Sequence, residues 1–138
     1  MIIPLLASKI DLSNQNLTEI PIDIFRCKNL KKLNLSHNNI KVIPAELSKL
    51  KYLKNLDFSY NQISTLYAGN FIFPKLEVFI LRNNRIKTLP KQLSKLTNLR
   101  KLSLASNQLK NMPSELASLG QLISLNIADN PMEEFPAA

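Results

Sequence analysis

The chain has 138 residues, of which 45% are hydrophobic and 20% are charged, and its formal net charge at pH 7 is +8. This length is typical of one domain, and the ordinary apolar fraction excludes a disordered chain. The single cysteine excludes a disulfide framework, and no stretch approaches the roughly 20 apolar residues of a membrane-spanning helix.

The chain opens with a short apolar lead-in, residues 1–6. This segment lacks the basic region of a secretory signal peptide, and its apolar run is too short for one. We therefore expect a cytoplasmic, intracellular protein.

From Ala7 onward the sequence is periodic, with units that begin at residues 7, 30, 53, 76, 99 and 122 and an incomplete last unit. When the first residue of each unit is position 1, apolar side chains recur at positions 1, 4, 6, 11, 14, 18 and 21. Only Asn70 is polar among all the residues at these positions. The pattern predicts a single repeat domain over residues 1–138.

Positions 3 to 7 alternate between inward and outward side chains, which predicts a short strand in each unit and one parallel sheet in the stack. Position 9, just after the strand, is Gln15 in the first unit and asparagine in the others: Asn38, Asn61, Asn84, Asn107 and Asn130. Because an amide both donates and accepts, we predict that this asparagine ladder satisfies backbone groups where the chain turns inward.

The second half of each unit leads the chain back to the next strand. Position 15 is proline in five units, at Pro21, Pro44, Pro90, Pro113 and Pro136. Proline at a first helical position, followed by leucines three residues apart, predicts a short helix or 3₁₀ turn. Since a strand is narrower than such a return segment, the stack should curve with its strands on the concave side.

The third unit departs from this pattern, with Tyr67 at the proline position and Asn70 at a leucine position. We predict a shifted return segment in which Phe71 supplies the missing apolar volume. The alternative is a contact site on the convex flank, formed by Tyr67 or Ile72.

The motif L-x-x-L-x-L-x-x-N-x-L, present in six in-register copies over essentially the whole chain, resembles the leucine-rich repeat signature. The 23-residue form with I/L-P-x-x-L-x-x-L is similar to the repeats of intracellular scaffolds, such as Ras-signalling scaffolds and plant intracellular Ras-group proteins. The resemblance implies an α/β right-handed solenoid. Its curved parallel β-sheet would lie on the concave face, and short helical, 3₁₀ or irregular return segments on the convex face.

Residues for catalysis are scarce, because the chain has one histidine, His37, and one cysteine, Cys27. Cys27 occupies position 21, an inward apolar position, so we expect a buried, inert thiol. The chain cannot assemble a Cys/His zinc site, and Gly69 and Gly120 cannot form a phosphate-binding loop. We therefore expect no catalytic residue, no metal and no cofactor.

Side chains at positions 3, 5, 7 and 8 are expected on the exposed concave face, where most of them are small and polar. The fourth unit differs, since its exposed residues include two apolar side chains and an arginine. We predict that the concave face as a whole is the interaction surface for a partner protein. Within this face we predict a protein-binding patch of seven residues: Tyr60, Val78, Ile80, Arg82, His37, Asp57 and Lys101. The alternative is neutral sequence variation (drift) at surface positions that tolerate it, because a few exposed aliphatic side chains are normal.

Most basic residues lie at the strand flanks and on the return segments, and we interpret them as solvated surface charges without a specific binding role. Nucleic-acid binding, which favours a basic stripe with stacking aromatics, is the weakest hypothesis. The principal alternative to a protein-interaction module is a targeting or regulatory domain of a larger cyclase, kinase, GTPase or deadenylase. The uncapped ends of the stack also suggest an end-to-end homodimer that continues the sheet.

Overall fold

The structure, a computed structural model, describes residues 1–133. Within these residues, six three-residue strands, one in each unit, pair in chain order in one parallel sheet: β1 Lys9–Asp11, β2 Lys32–Asn34, β3 Asn55–Asp57, β4 Val78–Ile80, β5 Lys101–Ser103 and β6 Ser124–Asn126. Each residue pairs with its counterpart one repeat later, as Leu33 does with Leu56. The predicted open, curved parallel sheet is confirmed.

A 3₁₀ helix follows each of the first five strands and lies on the convex side: η1 Ile22–Arg26, η2 Ala45–Lys49, η3 Ala68–Asn70, η4 Lys91–Lys95 and η5 Ser114–Ser118. The prediction of short 3₁₀ return segments is therefore confirmed. The proline, however, immediately precedes the helix and does not form its first residue. Its carbonyl accepts the first 3₁₀ hydrogen bond, as Pro21 does from the Ile24 N–H at 3.0 Å. Pro136 lies outside the described residues.

The predicted apolar positions form one continuous core, and most of their side chains in the second to fifth units are fully buried. The third unit keeps this core by the predicted shift: η3 has three residues, and the side chain of Phe71 is buried against Phe79, with ring centroids 6.2 Å apart. Leu125 in β6 is 45% exposed, because no later unit covers it within residues 1–133.

The asparagine ladder makes the predicted hydrogen bonds to backbone. The side-chain Nδ2 of Asn61 donates to the carbonyls of Leu35 and Phe58, both at 2.9 Å, and its Oδ1 accepts from the Ile40 N–H at 3.0 Å. The same pattern recurs at Asn84, Asn107 and Asn130. Each amide thus joins two repeats, which locks the register of the stack.

Candidate functional site

The concave face is built from strand residues at positions 3 and 5, whose side chains point away from the core. In β4 these residues are Val78 and Ile80, and both are half-buried. The strand register places Ile80 beside Asp57 of β3, and Val78 beside Lys101 of β5. The sheet therefore brings together four of the seven residues of the predicted patch.

At position 8, just after each strand, the residue has a left-handed backbone conformation, with φ of 56–57°: Asn14, His37, Tyr60, Asn83, Ser106 and Asp129. Asparagine, aspartate and histidine tolerate this conformation, whereas a bulky aromatic residue rarely adopts it. For a residue with a side chain, a left-handed conformation costs about 1–2 kcal/mol. The sequence analysis missed this constraint, although the frequency of asparagine and aspartate at position 8 is a signal of it.

The other three patch residues, His37, Tyr60 and Arg82, lie in a row beyond the strand ends, which we call the aromatic row. The rings of His37 and Tyr60 are stacked, with centroids 4.4 Å apart and an interplanar angle of 8°. The guanidinium of Arg82 lies 5.6 Å from the centroid of the Tyr60 ring, within the range of a cation–π contact. Tyr60 is thus held between two neighbours, and 39% of it remains exposed.

Position 5 also has a structural role that the sequence analysis did not anticipate. The side-chain oxygens of Asp11, Asn34, Asp57 and Asn126 accept a hydrogen bond from the backbone N–H two residues later, at 2.8–3.0 Å. At Asp11, hydrogen bonds from the hydroxyl and backbone N–H of Ser13 lower the pKa of the carboxyl. Ile80 occupies the same position in β4 and has no side-chain acceptor for this bond.

The expected exposure of position 7 is wrong for three of the six units. The side chains of Ser36, Ser59 and Ala105 are buried, whereas that of Arg82 is exposed as expected. The chain turns at the left-handed residue that follows, and a small side chain at position 7 is covered by the neighbouring units. Ser103, at position 5 of the fifth unit, is buried as well.

A shallow concave groove of about 370 Å³ crosses β1–β4, and its outward-facing lining consists of positions 3 and 5: Lys9, Asp11, Lys32, Asn34, Asn55, Asp57, Val78 and Ile80. Val78 and Ile80 form its apolar end, and lysines and carboxylates lie towards β1. His37, Tyr60, Arg82 and Lys101 do not line the groove. The predicted patch therefore consists of the apolar end of a groove and a separate aromatic row.

Cysteine and potential metal ligands are the residue types to consider first for chemistry. The side chain of Cys27 is fully buried, and burial together with the nearby charge of Asp23 raises the pKa of its thiol. Among residues 1–133, no three histidine, cysteine, aspartate or glutamate side chains lie close enough together to hold a metal ion. The same residues contain no helix that is long and apolar enough to cross a membrane.

Two models of repeat families match the chain: one described as "Leucine rich repeat" over residues 7–63, and one described as "Leucine Rich repeats (2 copies)" over residues 74–118. A search of curated proteins found no match. Among solved structures, the chain is similar to a leucine-rich repeat protein of Leptospira interrogans, with 36% identity and a TM-score of 0.84. The alignment covers 88% of this chain but only 31% of the Leptospira protein, so the chain spans about a third of that protein's length.

Proposed function

The chain belongs to the leucine-rich repeat family, whose domains generally mediate protein–protein interaction, and from this premise we propose that it binds a partner protein mainly through its concave face. The chain itself would carry out no catalysis. The asparagine ladder and the parallel sheet hold the concave side chains on a rigid backbone, so little ordering entropy is lost when a partner binds.

One observation supports the concave face most strongly: in two neighbouring units, side chains useful for binding replace side chains that would stabilise the repeat. Tyr60 occupies a left-handed position that asparagine tolerates better. Ile80 occupies a position where an aspartate or asparagine would bond the backbone. Departures from a local structural rule are expected at functional sites, where binding and not stability selects the residue.

The chemistry of the patch suits a protein partner. Tyrosine and arginine are frequent anchor residues in interfaces, and Tyr60 and Arg82 are already held in contact with each other. Val78 and Ile80 provide an apolar centre, and Asp57 and Lys101 lie beside it in the register of the sheet. An apolar centre with a polar rim is the usual anatomy of a protein interface.

The test uses a variant in which the repeat pattern is restored, Tyr60→Asn/Ile80→Asn. The asparagine that replaces Tyr60 suits the left-handed backbone, and the one that replaces Ile80 can accept from the Arg82 N–H. We expect these gains to offset the lost contacts of Tyr60 with His37 and Arg82, so that the chain remains folded. Partners are identified by quantitative affinity enrichment from the source cells, and a purified partner is then titrated by calorimetry. Loss of a tyrosine anchor costs about 2 kcal/mol or more, so affinity should fall at least about 30-fold.

Ser106→Asn is the matched control, because Ser106 occupies the same left-handed position two repeats away from Tyr60. This variant should bind the partner with wild-type affinity. Ile80→Asp/Arg82→Glu provides a second, more disruptive test of the patch. If the partner binds Tyr60→Asn/Ile80→Asn and Ile80→Asp/Arg82→Glu as tightly as the wild type, the concave patch is not the binding site.

Two further proposals follow from the resemblance to intracellular repeats. The first is a cytoplasmic location in a scaffolding or signalling role, which fractionation of the source cells tests. The second, the alternative function, is a targeting or regulatory domain of a multidomain enzyme. The length and content of the encoding gene beyond Ala138 distinguish this alternative from an independent interaction module.

An end-to-end homodimer is a separate proposal, supported by the exposed apolar residues of the terminal units. Ile123 is 76% exposed and Leu125 is 45% exposed beside the outer strand β6. Such a strand can pair with another chain. Light scattering at increasing protein concentration tests this proposal, and a monomer at every concentration would contradict it.

A further inference from the structure

The positive charge of the chain is concentrated on one edge of the sheet. The amino edge, where the return segments lead into the strands, comprises positions 22, 23, 2 and 3. It carries nine exposed cations: Lys9, Lys28, Lys31, Lys32, Lys51, Lys54, Lys75, Arg100 and Lys101. Its one acidic residue is Glu77. The chain has 18 basic and 10 acidic residues, so the amino edge accounts for the whole net charge of +8 and the rest of the chain is balanced.

Two adjoining pockets, of about 440 and 470 Å³, form a continuous trough along this edge. Both are lined by Lys54 and Lys75, and polar or charged side chains complete the trough: Ser8, Asn29, Lys31, Tyr52, Glu77, Asn98, Arg100 and Gln121. The trough crosses the repeats at right angles to the strands. Its length therefore increases by about 4.8 Å with each repeat.

The backbone beneath these cations is rigid. At position 2, the N–H of each residue donates to the carbonyl of its counterpart one repeat earlier, as Lys54 does to Lys31 and Arg100 does to Glu77, both at 2.8 Å. This chain of hydrogen bonds fixes the spacing of the charged side chains without help from the side chains themselves. The backbone positions that carry the cations are thus held in a row.

Among residues 1–133, most of these cations form no ion pair. Arg100 lies 3.9 Å from Glu77, but in residues 1–133 the eight lysines of the amino edge form no salt bridge. Concentrated like charges repel one another and destabilise the compact state, and they attract anionic partners over long distances. A row of nine cations with one acidic residue is therefore suited to an anionic partner.

We propose that the amino edge binds an acidic segment, rich in aspartate and glutamate, of a protein. The trough shares no lining residue with the concave groove or the aromatic row, although Lys9, Lys32 and Lys101 of the amino edge lie on the concave face. The amides of Asn29 and Gln121 can bond an extended peptide backbone, because an amide both donates and accepts. The lysines that line the trough between them are placed to pair with carboxylates.

The composition of the amino edge favours a peptide over a nucleic acid. Proteins that bind single-stranded nucleic acid stack the bases on aromatic rings, and one aromatic residue lines the trough. Tyr52 is the aromatic residue that lines the trough, and the Nζ of Lys75 lies 4.7 Å from its ring centroid. That face of the ring is therefore occupied and does not offer a platform for a base.

The test measures binding of a fluorescein-labelled 12-residue oligoglutamate by fluorescence anisotropy, from 50 to 300 mM salt. Lys31→Glu/Lys54→Glu/Lys75→Glu reverses three cations of the trough. Lys41→Glu/Lys87→Glu/Lys110→Glu is the matched control, because it changes the net charge equally at three exposed lysines beyond the other ends of the strands. Circular dichroism checks that both variants fold.

We expect the trough variant to bind the peptide about tenfold more weakly or worse, and the control variant to lose no more than about threefold. The affinity of the wild type should fall as salt rises, because exposed charges are screened. An equal loss in both variants would mean that only net charge matters and would overturn the proposal, as would no binding at 50 mM salt.

Two further probes distinguish other polyanions. A 12-nucleotide oligothymidylate should bind more weakly than the peptide. Tighter binding that is lost in the trough variant would assign the edge to nucleic acid and overturn the proposal. The protein should not sediment with vesicles of phosphatidylserine and phosphatidylcholine at 150 mM salt. Sedimentation of the wild type that is lost in the trough variant would assign the edge to a membrane surface and would also overturn the proposal.

Discussion

Removal of one amide from the middle of the asparagine ladder, in Asn84→Ala, tests what holds the repeats together. The side-chain Oδ1 of Asn84 accepts from the Ile63 N–H at 3.0 Å, and its Nδ2 donates to the carbonyls of Phe58 and Leu81, both at 3.0 Å. Each of these carbonyls keeps a second donor, Asn61 or Asn107. The Ile63 N–H loses the acceptor that Asn84 provides, at a site where Asn84 itself is buried.

The magnitude follows from these contacts. A buried donor without a partner costs about 1–3 kcal/mol, and each lost hydrogen bond to a carbonyl costs about 1 kcal/mol more. We therefore expect the free energy of unfolding to fall by about 4 kcal/mol. With a urea m-value of about 2 kcal/mol/M, the unfolding midpoint would fall by about 2 M.

Asn130→Ala is the matched control, because Asn130 makes the same three bonds in the outermost described unit, where it is half-buried. Water can replace its amide there, so we expect a loss of about 1 kcal/mol. Urea unfolding is followed by circular dichroism and by tyrosine fluorescence, and coincident curves establish that the transition is two-state. Equal losses for the two variants would refute the argument from burial.

Two further predictions concern single side chains. Ser106→Asn should raise the free energy of unfolding by about 0.5–1 kcal/mol in urea unfolding, because asparagine tolerates the left-handed backbone at Ser106 better than serine does; a loss of stability would contradict this. Cys27 should react with a thiol reagent at pH 8 at least about 100-fold more slowly in the native protein than in urea, because its side chain is buried and the pKa of its thiol is raised. Equal rates in the two conditions would show that the thiol is accessible.

The repeat period made most of the fold predictable. Leucines that recur at the same positions of every unit place each strand, and the apolar positions around them define the core, because every unit contacts only its neighbours and the same contacts recur. The roles of the asparagines and the shift at Phe71 followed from the same reasoning. The exact place of the proline, one residue before the 3₁₀ helix, did not, since proline is compatible with both positions.

The candidate site was predictable only in part. Val78, Ile80, Arg82 and Tyr60 stood out as departures from a polar face. Val78 and Ile80 line the concave groove, whereas Tyr60 and Arg82 lie outside it, and a binding role for the four remains a prediction. The bond from Asp57 to the Ser59 N–H and the burial of Ser59 were missed, because both depend on the turn that the left-handed residue makes. The alternation of inward and outward residues does not predict such a turn, and the signal that does, the asparagine and aspartate at position 8, was not used.

The order of residues along the chain is enough to specify the solenoid, because a periodic pattern of buried side chains is satisfied by one way of stacking the units. The contacts between side chains of different repeats could be identified only in the tertiary structure. His37 stacks on Tyr60, and Lys54 and Lys75 line one trough with Tyr52. His37 and Tyr60 are 23 residues apart in the chain, as are Tyr52 and Lys75, and their contacts depend on strand register, backbone turn and side-chain rotamer together. The amino acid pattern affects the strand register, the backbone turn and the side-chain rotamer only through the side chains that pack around them.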